Sequence, residues 1–541
     1  MQLGRVEVIG GGPAGLFAAR LIKERMPHAR VRVTERSVPD DTFGFGVAFT
    51  ARTLRAVADA ERATFDRLIA ASVPMPPQEI RIDGVSVRAK GTGGGIAIAR
   101  ARLLAVLLDE AVRAGVEVDL GADRNLDDVR DADLVIAADG AGSRTRAELA
   151  EHVGGRVVPG RGVFMWLGCR TRLRSNLFVP VRTEHGLFTI HGYPYAEDRS
   201  TLGVEADIET WRRAGMDTAT DGTPLTESDA FSIDYLQQAF TDALSGAELL
   251  GNRSRWMQFR TVSLPRWHYE NVVLIGDAAH TAHYSVGSGT KMALEDAIVL
   301  ADSLTTAKEL SLAGGLRRYE EIRRPRVEAL QDAAVRSQRW WDSIGHRLDL
   351  PAPQLMLAYL SRGGVVSTSR LAHSDRDLLR AGLAAFAGVE PTDDDLADVR
   401  TWVLNRPYER AALRASHRVL DEDGQPGYRE VRGEPLAVTA LRAAYPDEAL
   451  AAVLGTEVDD PWSPAADEVL DRCFALAEAG ADGVRLQGRP GRPALLDRLA
   501  LAERIRRQTR LFTVVGAPAD HIEDLVDGIV AGRADLVAIA D

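Results

Sequence analysis

The chain has 541 residues, more than a single hydrophobic core usually holds, so at least two domains are expected. Its 66 basic against 78 acidic residues leave a formal net charge of −12, which argues against non-specific binding to nucleic acid or an anionic membrane. The only two cysteines, Cys169 and Cys473, lack metal-ligand spacing and read as buried thiols; no apolar run spans a bilayer and the apolar start belongs to a first strand, so the cytoplasm is expected.

Val6, Val8 and Ile9 make a short apolar strand, and Gly10, Gly12, Pro13, Ala14 and Gly15 form a G-x-G-x-x-G turn into a helix from about Pro13 to Met26. Gly10 permits the tight turn, Gly12 lets a pyrophosphate approach the backbone, and Gly15 lets helix and strand pack closely. The helix N-terminus then faces the phosphate charge. A second strand, VRVTE, ends at Glu35 before Arg36, where a carboxylate can accept hydrogen bonds from ribose hydroxyls. Together these predict a dinucleotide site.

A connector rich in Gly and Phe, including Gly44, Phe45, Gly46 and Val47, leads to a helix near Thr50, and Arg100 opens an apolar helix. The strand in DADLVIAADGAGSRTR ends at Asp139 and Gly140, with Ser143 and Arg146 just beyond. From about Arg156 to Phe259, short runs such as GVFMWLGCRT, NLFVPVRT, GLFTIHGYPY and STLGVEAD alternate as antiparallel strands do. Alternation places His191, Tyr193 and Tyr195 on one face, which reads as a pocket wall or a wet outer surface. NVVLIGDAAHTAHYSVGSGTKMALEDA follows, a strand into Gly276, Asp277 and Ala278, then a loop with His280, His283, Gly287 and Gly289, then a helix near Thr290. From Ser303 to about Leu350 the spacing is helical, and Pro325 is expected to kink or break it. Trp340 and Trp341 read as packing residues. The last 140 or so residues alternate helix and strand, as parallel-sheet or barrel pieces do.

The three glycine-containing segments, in this order, resemble the three fingerprints of the single-component FAD-dependent aromatic hydroxylases. WLGCRT, EHGLFTIHGYPY, the segment from SRWMQFRTV through GDAAHTAHYSVGSGTKMALEDAI, and YEEIRRPRV narrow the likeness to the salicyloyl-CoA 5-hydroxylase and anthraniloyl-CoA monooxygenase group. That resemblance covers roughly residues 1–380. It implies an α/β fold: a Rossmann-like FAD-binding domain with an inserted antiparallel substrate sheet. It also places Asp277 on the FAD ribityl and pyrophosphate region, the Gly287–Gly289 loop beside the flavin ring, Phe45 and Gly46 over the flavin, and Arg100 near the dinucleotide. The implied reaction consumes NAD(P)H and dioxygen and hydroxylates an activated ring through a C4a-hydroperoxyflavin, with an aryl-CoA thioester as the leading substrate.

Departures from the wider hydroxylase pattern are His283 where a proline is usual, Ser288 for glutamine and Lys291 for asparagine. His283 is accordingly the first catalytic candidate, with His191 and Tyr193 on the sheet, while His280 reads as packing behind the GDAAH turn. Arg170, Arg172, Arg174, Arg253, Arg255 and Arg260 are candidates for coenzyme A phosphates or simply charged sheet surface. Alternatives are a free or carrier-protein-bound aromatic acid or indole as substrate, and a flavin-binding assembly protein without catalysis. A halogenase is disfavoured because the W-x-W-x-I-P signature is missing. A homodimer is left open; nucleic acid, membrane and metal are not expected.

The expected division is 1–155 for the first part of the FAD domain, 156–265 for the substrate sheet, 266–380 for the third fingerprint and helices, and 381–541 for a C-terminal domain. This last segment resembles the final units of an old yellow enzyme barrel, in which the matches to Gly516, Gly532 and Arg533 hold FMN phosphate. It is too short for eight βα units. The expectation is therefore a truncated, catalytically silent barrel remnant, with FMN disfavoured.

Overall fold

A computed structural model describes residues 3–38, 44–90, 95–305, 311–410, 413–420 and 427–540. The chain forms two compact units, one of residues 1–84 and 92–342, the other of residues 85–91 and 343–541. The helices after Asp342 thus group with the C-terminal segment.

In the first unit the apolar strand Arg5–Ile9 lies between Arg30–Glu35 and Leu134–Ala137, parallel to both. Val272–Leu274 joins Leu134–Ala137, also parallel, so all four strands end at one edge of the sheet. Strands that far apart in sequence thereby deliver their following loops to one crevice, where ligands of open α/β sheets bind.

The inserted sheet has the antiparallel strands expected: Gly162–Cys169 pairs with Ser200–Asp207, which pairs with Gly186–Pro194, which pairs with Asn176–Thr183. Side chains alternate across a strand. Met165, Leu167, Ile190, Leu202 and Val204 accordingly share one face and pack with Leu236, Phe240 and Trp256 into a core. The opposite face presents Phe164 and Trp166, Gly203 and Glu205, and His191 and Tyr193. Opposed pairs in the register, Trp166 with Gly203 and Gly203 with His191, confirm that these residues share a side.

One helix, Leu312–Asp342, runs through Pro325 without a break, contrary to the expected interruption. Pro325 is exposed. The carbonyl that its missing N–H leaves unbonded can therefore be solvated, and packing of buried residues on both sides maintains the helix.

The second unit contains six parallel strands in the order Val419–Leu420, Leu536–Ala540, Phe512–Pro518, Gly483–Gly488, Ala449–Thr456, Tyr428–Arg432. From Tyr428 onward each strand lies beside its successor in sequence, the winding of a barrel, with fewer than eight strands in this sheet among the described residues. Arg533 is buried just before the last strand, at the amino end of the sheet. Barrel phosphates bind at the carboxyl end, so Arg533 does not occupy the place its resemblance implied. Both cysteines are buried.

Candidate active site

The first turn has the steric form its glycines require. Gly10 has φ +107°, and a Cβ there would lie 2.3 Å from the Ala138 carbonyl oxygen; one on Gly15 would lie 2.1 Å from the Gly10 oxygen. At Gly12 a Cβ would meet nothing within 4 Å, so the backbone stays open to a ligand. Helix Pro13–Arg25 starts with Pro13, has no acidic residue in its first turn and no side-chain cap, which leaves its N-terminus available to an anion. Ala14 is buried and comes close to Gly276 of the third segment. The Glu35 carboxylate accepts hydrogen bonds from the backbone N–H of Gly11 at 2.7 Å and of Ser37 at 2.8 Å. Each oxygen retains a lone pair for a hydroxyl. Arg36 is exposed.

Asp139 organises its own turn. It accepts from the Ser143 hydroxyl at 2.6 Å and from the Thr145 N–H and hydroxyl, both at 3.1 Å. Gly140, at φ +82°, is open. Arg146 then donates to the Ala278 carbonyl at 2.9 Å, tying the second segment to the third.

Asp277 keeps accessible surface while its neighbours from Val272 to His283 are buried. Protein nevertheless surrounds it closely enough that desolvation raises its carboxyl pKa, against the opposing charges of His280 and Arg100. Arg100, at the start of helix Arg100–Arg113, has its pKa lowered by burial, with Asp277 acting in the opposite direction. Behind Asp277, the wholly buried Asp296 accepts from the Gly276 N–H at 2.9 Å and from Arg323 Nε at 2.8 Å, and bonds His280 Nε2 at 2.8 Å. Burial would raise the Asp296 pKa, but His280 and Arg323 outweigh it and hold the carboxylate low. His280 thus packs behind the turn, as expected, its ring tilted against Trp267 at 4.7 Å between centroids.

Gly287, at φ +60°, and Gly289 have nothing within 4 Å of an added Cβ, and Thr290 is the second residue of helix Gly289–Thr305. The buried Ser288 hydroxyl has no hydrogen-bond partner. An open glycine turn, an accessible carboxylate, an uncapped helix start and an orphaned hydroxyl together fit FAD.

The aromatic face of the inserted sheet adjoins this loop. The Tyr284 ring is tilted against Phe164 at 4.7 Å between ring centroids and lies 5.9 Å from Phe259. His191 meets Trp341 edge-on at 5.4 Å and Tyr193 at 6.1 Å. Phe164, Trp166, His191, Tyr193 and Tyr284 all retain accessible surface. Burial raises the pKa of Tyr193 and of Tyr284, where the neighbouring Glu205 acts in the same direction. Tyr195 is buried instead, beneath Gly46.

The Gly44–Gly46 stretch passes rings of the sheet itself. A Cβ on Gly44 would lie 2.6 Å from Trp166 and one on Gly46 2.6 Å from Tyr195, while the Phe45 ring fills the space beside Gly168. Tyr193 donates to the Gly46 carbonyl at 3.2 Å. His283 is buried, its Nδ1 2.8 Å from the Ser285 hydroxyl, which continues to Ser337. Spacing and motif alone do not single out Tyr284, Glu205, Asp296 or Arg323. Tyr284 adjoins the singled-out His283, and Glu205 alternates with Gly203, but neither neighbour marks a partner distant in the chain.

Residues 100–334 match the FAD binding domain family. Salicyloyl-CoA 5-hydroxylase from a Streptomyces sp is 35% identical over 560 residues, covering 98% of this chain and 99% of that protein. A 5-monooxygenase of 3-hydroxy-4-methyl-anthranilyl aryl-carrier protein, from Streptosporangium sibiricum, is 37% identical and covers 68% of this chain and 97% of its own length. Among solved structures, 2-methyl-3-hydroxypyridine-5-carboxylic acid oxygenase superposes with a TM-score of 0.52 at 20% identity, over 70% of this chain and 97% of that one, a likeness of fold. No helix among the described residues is long and apolar enough to cross a membrane. With the three segments of an FAD site at one sheet edge, an aromatic-faced sheet beside them and a relative aligned over almost the whole chain, this protein belongs to the FAD-dependent aromatic hydroxylases, and is a monooxygenase.

Proposed function

We propose that the ring hydroxylated by this monooxygenase is carried as an aryl-CoA thioester, with NAD(P)H as reductant and dioxygen as oxygen source, in the cytoplasm. The supporting observation is coverage: the match to the salicyloyl-CoA enzyme accounts for 98% of the chain, so it includes residues of the second unit. FAD, when bound, supplies the redox chemistry by taking a hydride from the nicotinamide and activating oxygen. The protein's share is to hold and shield. Gly10, Gly12, Gly15, Glu35, Arg100, Asp277 and the Gly287–Thr290 turn hold the dinucleotide; Phe164, Trp166, His191 and Tyr193 hold the substrate ring and keep water out. In this reading His283 orders the loop between them and remains a candidate proton carrier.

Of the arginines considered for coenzyme A, Arg170 pairs with Glu248, Arg172 with Glu197, and Arg255 with the carbonyl of Thr220. Arg174 and Arg260, both exposed, are the first to test. The deciding experiment records flavin reduction by NADH and NADPH with salicyloyl-CoA, anthraniloyl-CoA and the free acids. Acceleration by a thioester and not by its acid is expected. The 37% identity to the carrier-protein enzyme supports a second reading, in which an anthranilyl carrier protein accelerates reduction and the CoA thioesters do not.

A further inference from the structure

We propose that the second unit binds a phosphate group at the carboxyl edge of its parallel sheet, held by Arg498, the Thr456 hydroxyl and the start of helix Arg492–Gln508. The site is separate from the flavin and ring positions described above and does not depend on the thioester reading. Gly532 and Arg533 take no part in it.

Strands Ala449–Thr456 and Gly483–Gly488 run parallel, with Thr456 opposite Gly488 at their carboxyl ends. Residues paired in this way share a face of the sheet. A Cβ added to Gly488 on that face would lie 3.1 Å from Arg498 Nη1, so the Thr456 side chain and the guanidinium are on the same side. Arg498 reaches there from the second turn of the helix. It donates to the Arg489 carbonyl at 2.6 Å and to the Gly516 carbonyl of the next strand at 3.2 Å.

Two polar groups at this spot are left without partners. Arg498 is 5% exposed and its Nε–H has no acceptor. Burial lowers its pKa, and no carboxylate opposes that shift among the described residues. Arg20, Arg323 and Arg347 are as deeply buried, yet each pairs with a carboxylate. A buried cation without a counter-charge is costly, and carbonyl oxygens satisfy its hydrogen bonds without neutralising it. The Thr456 hydroxyl, also 5% exposed, has no partner either. A phosphate meets both needs, bringing negative charge to the guanidinium and acceptor oxygens to the Nε–H and the hydroxyl.

The helix beside them is open to an anion as well. It has no side-chain cap, no acidic residue in its first turn and a proline at its start, and Gly491, its N-cap, has nothing within 4 Å of an added Cβ. Its first N–H groups are thus left for a ligand. Arg489 and Arg492 pair with Asp459 and Asp524, so the unbalanced charge is that of Arg498. The turn from Gly488 to Gly491 is exposed and has glycine at both ends, which lets it shift to admit an anion to the buried Nε–H.

The test titrates the FAD-loaded full chain by isothermal calorimetry with sodium phosphate and, separately, with coenzyme A, at fixed ionic strength. Parent, Arg498→Gln and Thr456→Val are compared. Saturable binding is expected in the parent. Arg498→Gln should weaken it about ten- to a hundredfold, as loss of a charged hydrogen-bond donor does, and Thr456→Val, which keeps the side chain's shape, about fivefold. Without phosphate, Thr456→Val should melt no lower than the parent, because the hydroxyl it removes has no partner to lose; a purely structural threonine would lower Tm and leave the titrations unmoved. Coenzyme A weakened along with phosphate makes the bound group one carried by the coenzyme, and phosphate weakened alone makes it a free phosphate. A parent that binds neither probe, or a Thr456→Val that binds both as the parent does, overturns the site. If Arg498→Gln does not fold, Thr456→Val decides alone.

Discussion

The Asp277 carboxylate is accessible yet raised in pKa by desolvation, with His280 and Arg100 nearby opposing that shift. A hydrogen bond to a charged group is worth about 1.5–3 kcal/mol, so Asp277→Asn, which keeps the shape and removes the charge, is expected to weaken FAD binding by roughly ten- to a hundredfold. Quenching of FAD fluorescence by the apoprotein measures this, and unchanged affinity would remove Asp277 from the site. Gly15→Ala fails for a different reason. Its methyl would lie 2.1 Å from the Gly10 oxygen, so strand and helix must separate, and flavin content and Tm should fall together. Both positions were legible as residue types at fixed spacing. Tyr284 and Glu205 were not, because 79 residues separate them and nothing local in either segment names the other.

At the scale of elements, helix Leu312–Asp342 is joined to the third segment through the buried Arg323 guanidinium as well as through Gln331 and Ser337. Arg323 bonds Asp296, and Asp296 bonds both His280 and the Gly276 N–H, so the helix helps set the turn that presents Asp277. Removing one partner of a buried pair strands the other charge. Arg323→Met is therefore expected to cost about 3–5 kcal/mol in urea unfolding and to release flavin on dilution. Retention of stability with FAD still bound would show that the network does not support the site. The helical spacing of YEEIRRPRV was readable, and Pro325 suggested a break. What maintained the helix was exposure of the proline with buried residues on either side, a matter of which face meets the core.

At the scale of the molecule, the second unit has its own pH response. Asp527 accepts the Thr368 N–H at 2.9 Å, and burial pushes its carboxyl up from 3.8 to about 7. A raised folded pKa means the folded unit binds more protons than the unfolded chain in that interval. The contribution is full below pH 3.8, declines as pH rises, and is gone above about pH 7. Asp527→Asn, which keeps an acceptor and never ionises, should then stabilise the unit at pH 8 by on the order of 2–4 kcal/mol and do little at pH 4. Calorimetry at the two pH values checks the sign. The sequence by itself determined the strand, turn and helix periodicities, the three cofactor segments, the alternating substrate strands and the βα run at the end, because hydrophobic period and glycine placement are local properties. Only the tertiary structure decided that Trp166, Gly203 and His191 form one row, that Gly44 and Gly46 run past sheet rings, that Arg533 lies at the amino end of its sheet, and that Tyr284 reaches Glu205. Those facts depend on register and on which chain segments share a face, and contacts between distant segments leave no periodic mark in either one.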